Sequence, residues 1–182
     1  MNLQKVIESI RNVPDFPIPG IQFKDITTAL KKPDVLAFLI QELTDRYKNK
    51  NITKVVGIES RGFILGGALA NNLGAGFVPI RKPGKLPAEV YSQTYELEYG
   101  KDTIEIHKDA INPGENILLH DDLLATGGTA KAACELLQKF KPAKIFVSFI
   151  IELDFLKGRD LLKDYELTSL VHYQNELVIN EN

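Results

Sequence analysis

Three short apolar segments of the chain are too continuous for strands that keep one face in water. They are residues 55–58, 117–119 and 145–151. Runs of this kind are typical of strands buried on both faces of a parallel sheet. A polar turn containing glycine and then a helical pattern follow each of the first two, which is the order of elements in a βαβ unit. The spacing predicts an α/β fold.

Helical and alternating patterns complete this prediction. Apolar residues spaced for amphipathic helices occur near the N-terminus, from Pro33 onward, and on one face of residues 133–140. Residues 91–99 and 103–107 alternate apolar and polar positions and predict antiparallel ribbons. The prolines of residues 14–20 predict an irregular segment. We expect a mixed, mostly parallel central sheet flanked by helices.

The composition excludes several classes of protein. The 182 residues are 44% hydrophobic and 25% charged, which favours a single domain over residues 1–182. A net charge of -2 gives no general attraction for nucleic acid, and no apolar run reaches the roughly 18 residues of a membrane helix. One cysteine, Cys134, and three histidines without ligand spacing disfavour disulfides and structural zinc. These features indicate a reducing, cytoplasmic setting.

The most informative segment follows the apolar run at 117–119. After two acids, a turn of small residues opens a helix: Ala125, Thr126, Gly127, Gly128 and Thr129. Backbone N–H groups at such a turn converge on an anion, and the helix dipole and threonine hydroxyls strengthen the attraction. The pattern is neither a Walker loop nor a dinucleotide fingerprint. We predict a phosphate site, with an ordinary helix entry as the alternative.

The two acids, Asp121 and Asp122, stand where open α/β sheets bind their ligands, at the carboxyl end of a strand. Adjacent acids repel each other unless a partner satisfies them. Sugar hydroxyls or a hydrated Mg²⁺ would do so. Ordinary helix capping is the alternative.

Two further segments carry groups that suit a pyrophosphate. Glu59, Ser60 and Arg61 follow the first apolar run and offer backbone amides, a hydroxyl and a forked guanidinium. Three cations surround a Pro-Gly turn: Arg81, Lys82 and Lys85. This turn is predicted to be a mobile lid whose closure would stabilise a leaving group. A surface arginine and a solvated basic loop are the alternatives.

Five segments, in order, resemble the adenine branch of the type I phosphoribosyltransferase family. They are 17–26 (PIPGIQFKDI), 57–63 (GIESRGF), 81–87 (RKPGKLP), 97–100 (LEYG) and 121–129 (DDLLATGGT). The resemblance covers most of the chain and implies the type I phosphoribosyltransferase fold. It implies transfer of 5-phosphoribosyl from phosphoribosyl pyrophosphate to adenine, giving AMP and pyrophosphate. It also implies a homodimer and Mg²⁺ held mainly through the substrate.

The resemblance assigns roles to individual residues. Residues 125–129 would bind the 5′-phosphate. Catalytic roles fall to Arg81, Lys85, Glu98, Asp121 and Asp122, with Glu98 accepting or relaying the purine proton. Pyrophosphate would contact Glu59, Ser60, Arg61, Arg81 and Lys85, where the family often has a strained or cis non-proline peptide. A hood of about residues 1–32 would cover the base, which would contact Gln22, Phe23, Lys24 and Tyr99.

Several alternatives remain open at this stage. Taken alone, Phe23 would be a core residue and the segment around Glu98 an exposed turn. The family more usually has a β-branched residue at His120 and arginine at Lys24; His120 could face the core or the cleft, and we assign it no role. The rival functions are a phosphoribosyltransferase for another base and a non-catalytic regulator that senses phosphoribosyl pyrophosphate.

Overall fold

A five-stranded parallel sheet forms the centre of the computed structural model, which describes residues 2–96 and 100–175. The strands are β1 (Arg11–Pro14), β2 (Gln22–Asp25), β3 (Lys54–Ile58), β4 (Gly76–Ile80), β5 (Val90–Glu96), β6 (Lys101–His107), β7 (Asn116–Leu124), β8 (Lys144–Leu153) and β9 (Glu166–Tyr173). The central sheet has the order β4-β3-β7-β8-β9, and every neighbouring pair in it is parallel. The three predicted buried strands are confirmed as β3, β7 and β8, which are adjacent.

Helices flank this sheet. They are α1 (Leu3–Ile7), α2 (Thr27–Leu30), α3 (Pro33–Tyr47), α4 (Gly62–Leu73) and α5 (Gly128–Gln138), with 3-10 turns at Asp154–Leu156 and Gly158–Leu162. The predicted start of α3 at Pro33 is confirmed; proline suits a first helical position because that residue needs no N–H partner. Within the described ranges, no helix is long and apolar enough to cross a membrane.

The two faces of the sheet are covered by two apolar clusters. Along β7, Ile117 and Leu119 belong to the cluster that contains the buried face of α5, whereas Leu118 belongs to the cluster with α3 and α4. Successive side chains of a strand point to opposite faces, so a strand covered on both faces must be apolar at every position. This is why the runs in β3, β7 and β8 are continuous.

The antiparallel ribbons form separate sheets, so the central sheet is more uniform than the expected mixed one. β5 pairs with β6, as predicted, and joins the rest through the bridge between Arg81 and Glu105. The predicted irregular segment is confirmed, since residues 15–21 contain no helix or strand; they join β1 to β2 in a short hairpin that was not predicted. β4 was not predicted because Pro79 interrupts its pattern, but β4 is an edge strand, where proline is tolerated.

The side chain of His120 faces the core. The sequence had left open whether it faces the core or the cleft. Its side chain is 0% exposed, and its Nδ1 lies 3.3 Å from the hydroxyl of Ser148, which is opposite in the β7–β8 register. Its Nε2 has no hydrogen-bond partner among the described residues. Burial lowers the pKa of His120 to about 4, because the imidazolium would lose its hydration there.

We expect acid to destabilise the protein through this residue. The unfolded chain binds a proton at His120 below about pH 6.5, whereas the folded chain resists protonation down to about pH 4. The free energy of unfolding therefore falls by up to about 3 kcal/mol across that interval. His120→Val removes this component, so its unfolding free energy should fall less between about pH 7 and about pH 4.5 in denaturant titrations. Equal losses in both proteins would contradict the assignment.

Candidate active site

The ends of β3 and β7 lie side by side at the carboxyl end of the sheet. The strands pair in parallel with Gly57 opposite His120, so the turn after Ile58 emerges beside the acid pair. A cleft of about 290 Å³ opens there. Its walls come from both strand ends, from β5 and β6, and from the loop between β7 and α5. Open α/β sheets bind their ligands at this position.

All five residues of the predicted phosphate loop, residues 125–129, line the cleft. Gly127 immediately precedes α5 and has φ of 84°, a left-handed conformation that favours glycine. The first N–H groups of a helix have no acceptor within the helix, so in a cleft wall they can bind an anion. The Thr129 hydroxyl lies 3.1 Å from the hydroxyl of Tyr95 and can donate to it.

The two adjacent acids have different surroundings because they point to opposite faces of β7. Asp122 is buried and accepts a hydrogen bond from Nε of Arg61. Asp121 lines the cleft, and its Oδ1 accepts the backbone N–H of Asp122 at 2.9 Å. Burial, followed by the negative charge of Asp122, raises the pKa of Asp121 well above its ordinary value. Of the two acids, Asp121 is therefore the one whose ionised form would be stabilised most by hydroxyl donors or a cation in the cleft.

The turn between β3 and α4 brings Arg61 to the acid pair. Its Glu59–Ser60 peptide is cis, as the resemblance implied. Gly62, the first residue of α4, lies so close to β7 that a Cβ there would stand 2.7 Å from the carbonyl oxygen of His120. A side chain at this position would push the turn away from the strand. Glycine therefore permits the contact between Arg61 and Asp122.

The cations of the predicted lid converge on one carboxylate. Glu59 accepts hydrogen bonds from Nζ of Lys85 at 2.6 Å, from the backbone N–H of Lys82 at 2.9 Å and from Nε of Arg81 at 3.3 Å. These bonds, led by that of Lys85, lower the pKa of Glu59 to about 2. The family resemblance implies that Glu59, Arg81 and Lys85 surround one pyrophosphate, and the structure brings all three together.

Two polar residues of the cleft wall, Tyr95 and Asp102, were not predicted from the sequence. Asp102 pairs with the ammonium group of Lys82 and accepts a hydrogen bond from the Tyr95 hydroxyl at 3.1 Å. Tyr95 and Asp102 are opposite each other in the ribbon of β5 and β6. Their place in a predicted ribbon was the available signal, but its register could not be deduced from the alternation alone.

The hood hairpin places Phe23 and its neighbours on different sides. The Phe23 ring centroid lies 5.6 Å from the Arg61 guanidinium and 5.1 Å from the ring centroid of Phe16. Lys24 is only 4% exposed, and its Nζ donates to Asn12 at 2.9 Å; Asn12 in turn donates to Gln22 at 2.6 Å. Phe23 therefore faces Arg61, whereas the side chains of Gln22 and Lys24 are engaged by Asn12, and Nζ of Lys24 also lies 4.5 Å from the Tyr173 ring centroid.

Comparison with known proteins identifies the family. The family model described as phosphoribosyl transferase domain matches residues 24–174. An adenine phosphoribosyltransferase of Bacteroides fragilis is 60% identical over 164 residues, which are 90% of this chain and 92% of that protein. The chain belongs to the adenine phosphoribosyltransferase family. A relative from Nitrosococcus oceani with the same name is 51% identical over 94% of this chain and 100% of its own length.

Solved structures of this family have the same fold. The enzyme from Thermoanaerobacter pseudethanolicus superimposes with a TM-score of 0.90 at 45% identity, covering 94% of this chain and 100% of that one. The Giardia lamblia enzyme, solved with 9-deazaadenine, has a TM-score of 0.91 at 44% identity. The match covers 96% of this chain and 99% of that one. The type I phosphoribosyltransferase fold is thereby confirmed. Glu98 and Tyr99, two predicted site residues, lie outside the described residues.

The cleft also fits the Mg²⁺ that the adenine phosphoribosyltransferase family implies. Mg²⁺ prefers carboxylate oxygens, water and substrate phosphates to a cage made only of protein groups. Asp121 offers a carboxylate to the cleft. In residues 2–96 and 100–175, the group of three side chains that could hold a metal is Glu152, Asp154 and His172, and none of them lines the cleft. His172 reaches this group because it pairs with Glu152 in the β8–β9 register.

The two acids should respond oppositely to neutralisation. Asp121→Asn removes a carboxyl whose ionisation is opposed by burial and by Asp122, while its Oδ1 can still accept the backbone N–H. We expect its melting temperature at about pH 8 to rise by a few degrees, or about 1 kcal/mol. Asp122→Asn removes the charged partner of Arg61, and we expect it to lower the melting temperature by about the same number of degrees. Equal decreases in both variants would contradict the assignment.

Proposed function

We propose that this protein transfers the 5-phosphoribosyl group from phosphoribosyl pyrophosphate to adenine, giving AMP and pyrophosphate. The observation that carries the proposal is one cleft in which the phosphate loop, the acid at Asp121 and the cations Arg81 and Lys82 face a common space. Anion sites at two ends and a hydroxyl acceptor between them match the 5′-phosphate, pyrophosphate and ribose of this donor. Relatives named for this activity support the choice of adenine.

Each part of the donor has a partner in this proposal. The amides of residues 125–129 hold the 5′-phosphate, and Asp121 faces the ribose hydroxyls, while Asp122, on the other face of β7, holds Arg61. The Glu59–Arg61 turn and the lid hold the pyrophosphate. Mg²⁺ would be held mainly through the substrate, where it would neutralise phosphate charge, and Asp121 is a carboxylate of the cleft that would contact it.

Adenine binds under the hood of about residues 1–32. The Phe23 ring stacks on the purine, and main-chain groups beside it read the purine edge. This assignment fits the engagement of the Gln22 and Lys24 side chains within the hood, because it needs only their backbone. Tyr99 remains a proposed contact of the base, and Glu98 the proposed acceptor of its proton.

In the reaction, the bond between the ribose C1′ and a pyrophosphate oxygen breaks while a purine nitrogen bonds to C1′. Positive charge develops on the sugar and negative charge on the leaving pyrophosphate. Arg81 and Lys85 move from Glu59 to the pyrophosphate as the lid closes, which excludes water and stabilises the leaving group. The purine releases its proton to Glu98.

A homodimer and a cytoplasmic location are also proposed. Ile64 on α4 and Phe77 on β4 are 49% and 37% exposed, and exposed apolar residues on neighbouring elements suit a protein interface. Both lie in the largely apolar segment between Ile64 and Ile80, which we propose as part of the contact between protomers. Light scattering tests the dimer, and a molar mass near 20.3 kDa would contradict it.

Turnover with each free base tests the function. Purified protein is incubated with phosphoribosyl pyrophosphate, Mg²⁺ and adenine, guanine, hypoxanthine, xanthine or orotate, and pyrophosphate release is measured. We expect release with adenine and little with the others, because main-chain acceptors suit an exocyclic amine. Preference for another base would support the rival enzyme. Binding of the donor without release with any base would support the sensing regulator.

Replacing a lid cation should slow turnover more than it weakens adenine binding. Lys85→Ala removes the ammonium group nearest to Glu59, and we expect kcat to fall by about ten-fold or more with KM for adenine nearly unchanged. Lys108→Ala is the matched control, because Lys108 pairs with Glu89, whereas Lys85 pairs with Glu59 of the cleft wall. Unchanged turnover in Lys85→Ala would reject the role of the lid.

A further inference from the structure

The segment between β8 and β9 packs directly against the phosphate loop. A Cβ built on Gly158 would stand 2.1 Å from the carbonyl oxygen of Ala125 and 2.9 Å from the backbone nitrogen of Gly127. A Cβ on Gly127 would stand 2.5 Å from the carbonyl oxygen of Gly158. The two backbones are thus in contact with no side chain between them. Any side chain at residue 158 must displace the loop, its own segment or both.

Arg159, the residue after Gly158, is held to the central sheet by an ion pair with Glu152 of β8. Arg159 donates from Nε and Nη2 to the two carboxylate oxygens of Glu152 at 2.9 and 2.5 Å. Glu152, on β8, is 4% exposed and also accepts the Ser169 hydroxyl at 2.6 Å. Two parallel bonds from a planar guanidinium fix direction as well as distance. The position of Gly158 is therefore set by an ion pair between the exposed Arg159 and the buried Glu152, which ties it to β8 and, through Ser169, to β9.

These residues do not touch the reacting groups. Neither Glu152 nor Gly158 nor Arg159 lines the cleft, whereas all of residues 125–129 do. They can affect chemistry only through the loop. The nearby carboxyl of Asp154 and ring of His172 do not turn the cluster into a metal site, because Arg159 already occupies both oxygens of Glu152.

We propose that Gly158, held by the Glu152–Arg159 ion pair, is a positioning residue that supports the phosphate loop in its anion-binding conformation. The proposal rests on the proposed role of residues 125–129 in binding the 5′-phosphate. That loop contains no cationic side chain, so its affinity depends on the convergence of its amides. A loop held in place before the ligand arrives avoids the entropic cost of ordering it on binding.

The proposal is tested with Gly158→Ala and Arg159→Lys. Both should raise Kd for AMP, measured by calorimetry, and KM for phosphoribosyl pyrophosphate, by about ten-fold or more for Gly158→Ala and less for Arg159→Lys. KM for adenine at saturating donor and kcat should change by less than about three-fold, because the reacting groups remain in place. A general loss of folded protein would instead lower kcat and leave both KM values unchanged.

Gly114→Ala is the matched control. Gly114 has φ of 83° and open space around it, and it lies before the first residue of β7, at the end of the strand away from the cleft. The substitution should cost stability through backbone strain but leave the AMP Kd unchanged. If Gly158→Ala fails to fold, Arg159→Lys carries the test. Unchanged AMP affinity in a folded variant would overturn the proposal, even if the wild type lacked turnover, since calorimetry needs only binding.

Discussion

The parallel pairing of β3 with β7 is the constraint on which the site depends. The register from Lys54 opposite Ile117 to Gly57 opposite His120 brings the end of β3 level with the acid pair of β7, which continues to Leu124. The chain leaving β3 and the acids of β7 must then share one space, because parallel strands run toward the same edge of the sheet. The ion pair of Arg61 with Asp122 joins the two turns across this space. A slip of one residue would reverse the faces of both sets of side chains.

Charges of opposite sign hold one another throughout this cleft. Glu59 holds Lys85 and Arg81, Asp102 holds Lys82, and Asp122 holds Arg61. A donor with two anionic ends can bind the cations of these pairs in place of their carboxylates, as we propose for Arg81 and Lys85. Asp121 differs, since burial and a neighbouring acid raise its pKa. The chain carries a net charge of only -2, so such local pairs, and not a general field, govern recognition.

Much of this arrangement was predictable from local patterns. The continuous apolar runs predicted β3, β7 and β8 because a strand covered on both faces has no position for polar residues. The acids and the small-residue turn predicted the anion loop because glycines and a helix start have a direct chemical meaning. The five ordered segments then identified the family, which the 60% identity to a relative confirms.

The rest depends on contacts between distant parts of the chain. The approach of Gly158 to Gly127 joins residues about thirty positions apart and leaves no periodic trace in the sequence. The burial of Lys24 against Asn12 follows from a hairpin of two four-residue strands, too short for a reliable alternation. The pairing of Tyr95 with Asp102 depends on ribbon register. Such features become visible only when the fold is known.

A crystal structure of the protein with bound AMP tests the central claim most directly. The account predicts the nucleotide phosphate within hydrogen-bonding distance of the backbone amides of residues 125–129. It also predicts the ribose hydroxyls at the carboxyl of Asp121, and the base beside Phe23. A nucleotide bound elsewhere, with the loop at 125–129 making no contact to its phosphate, would contradict it.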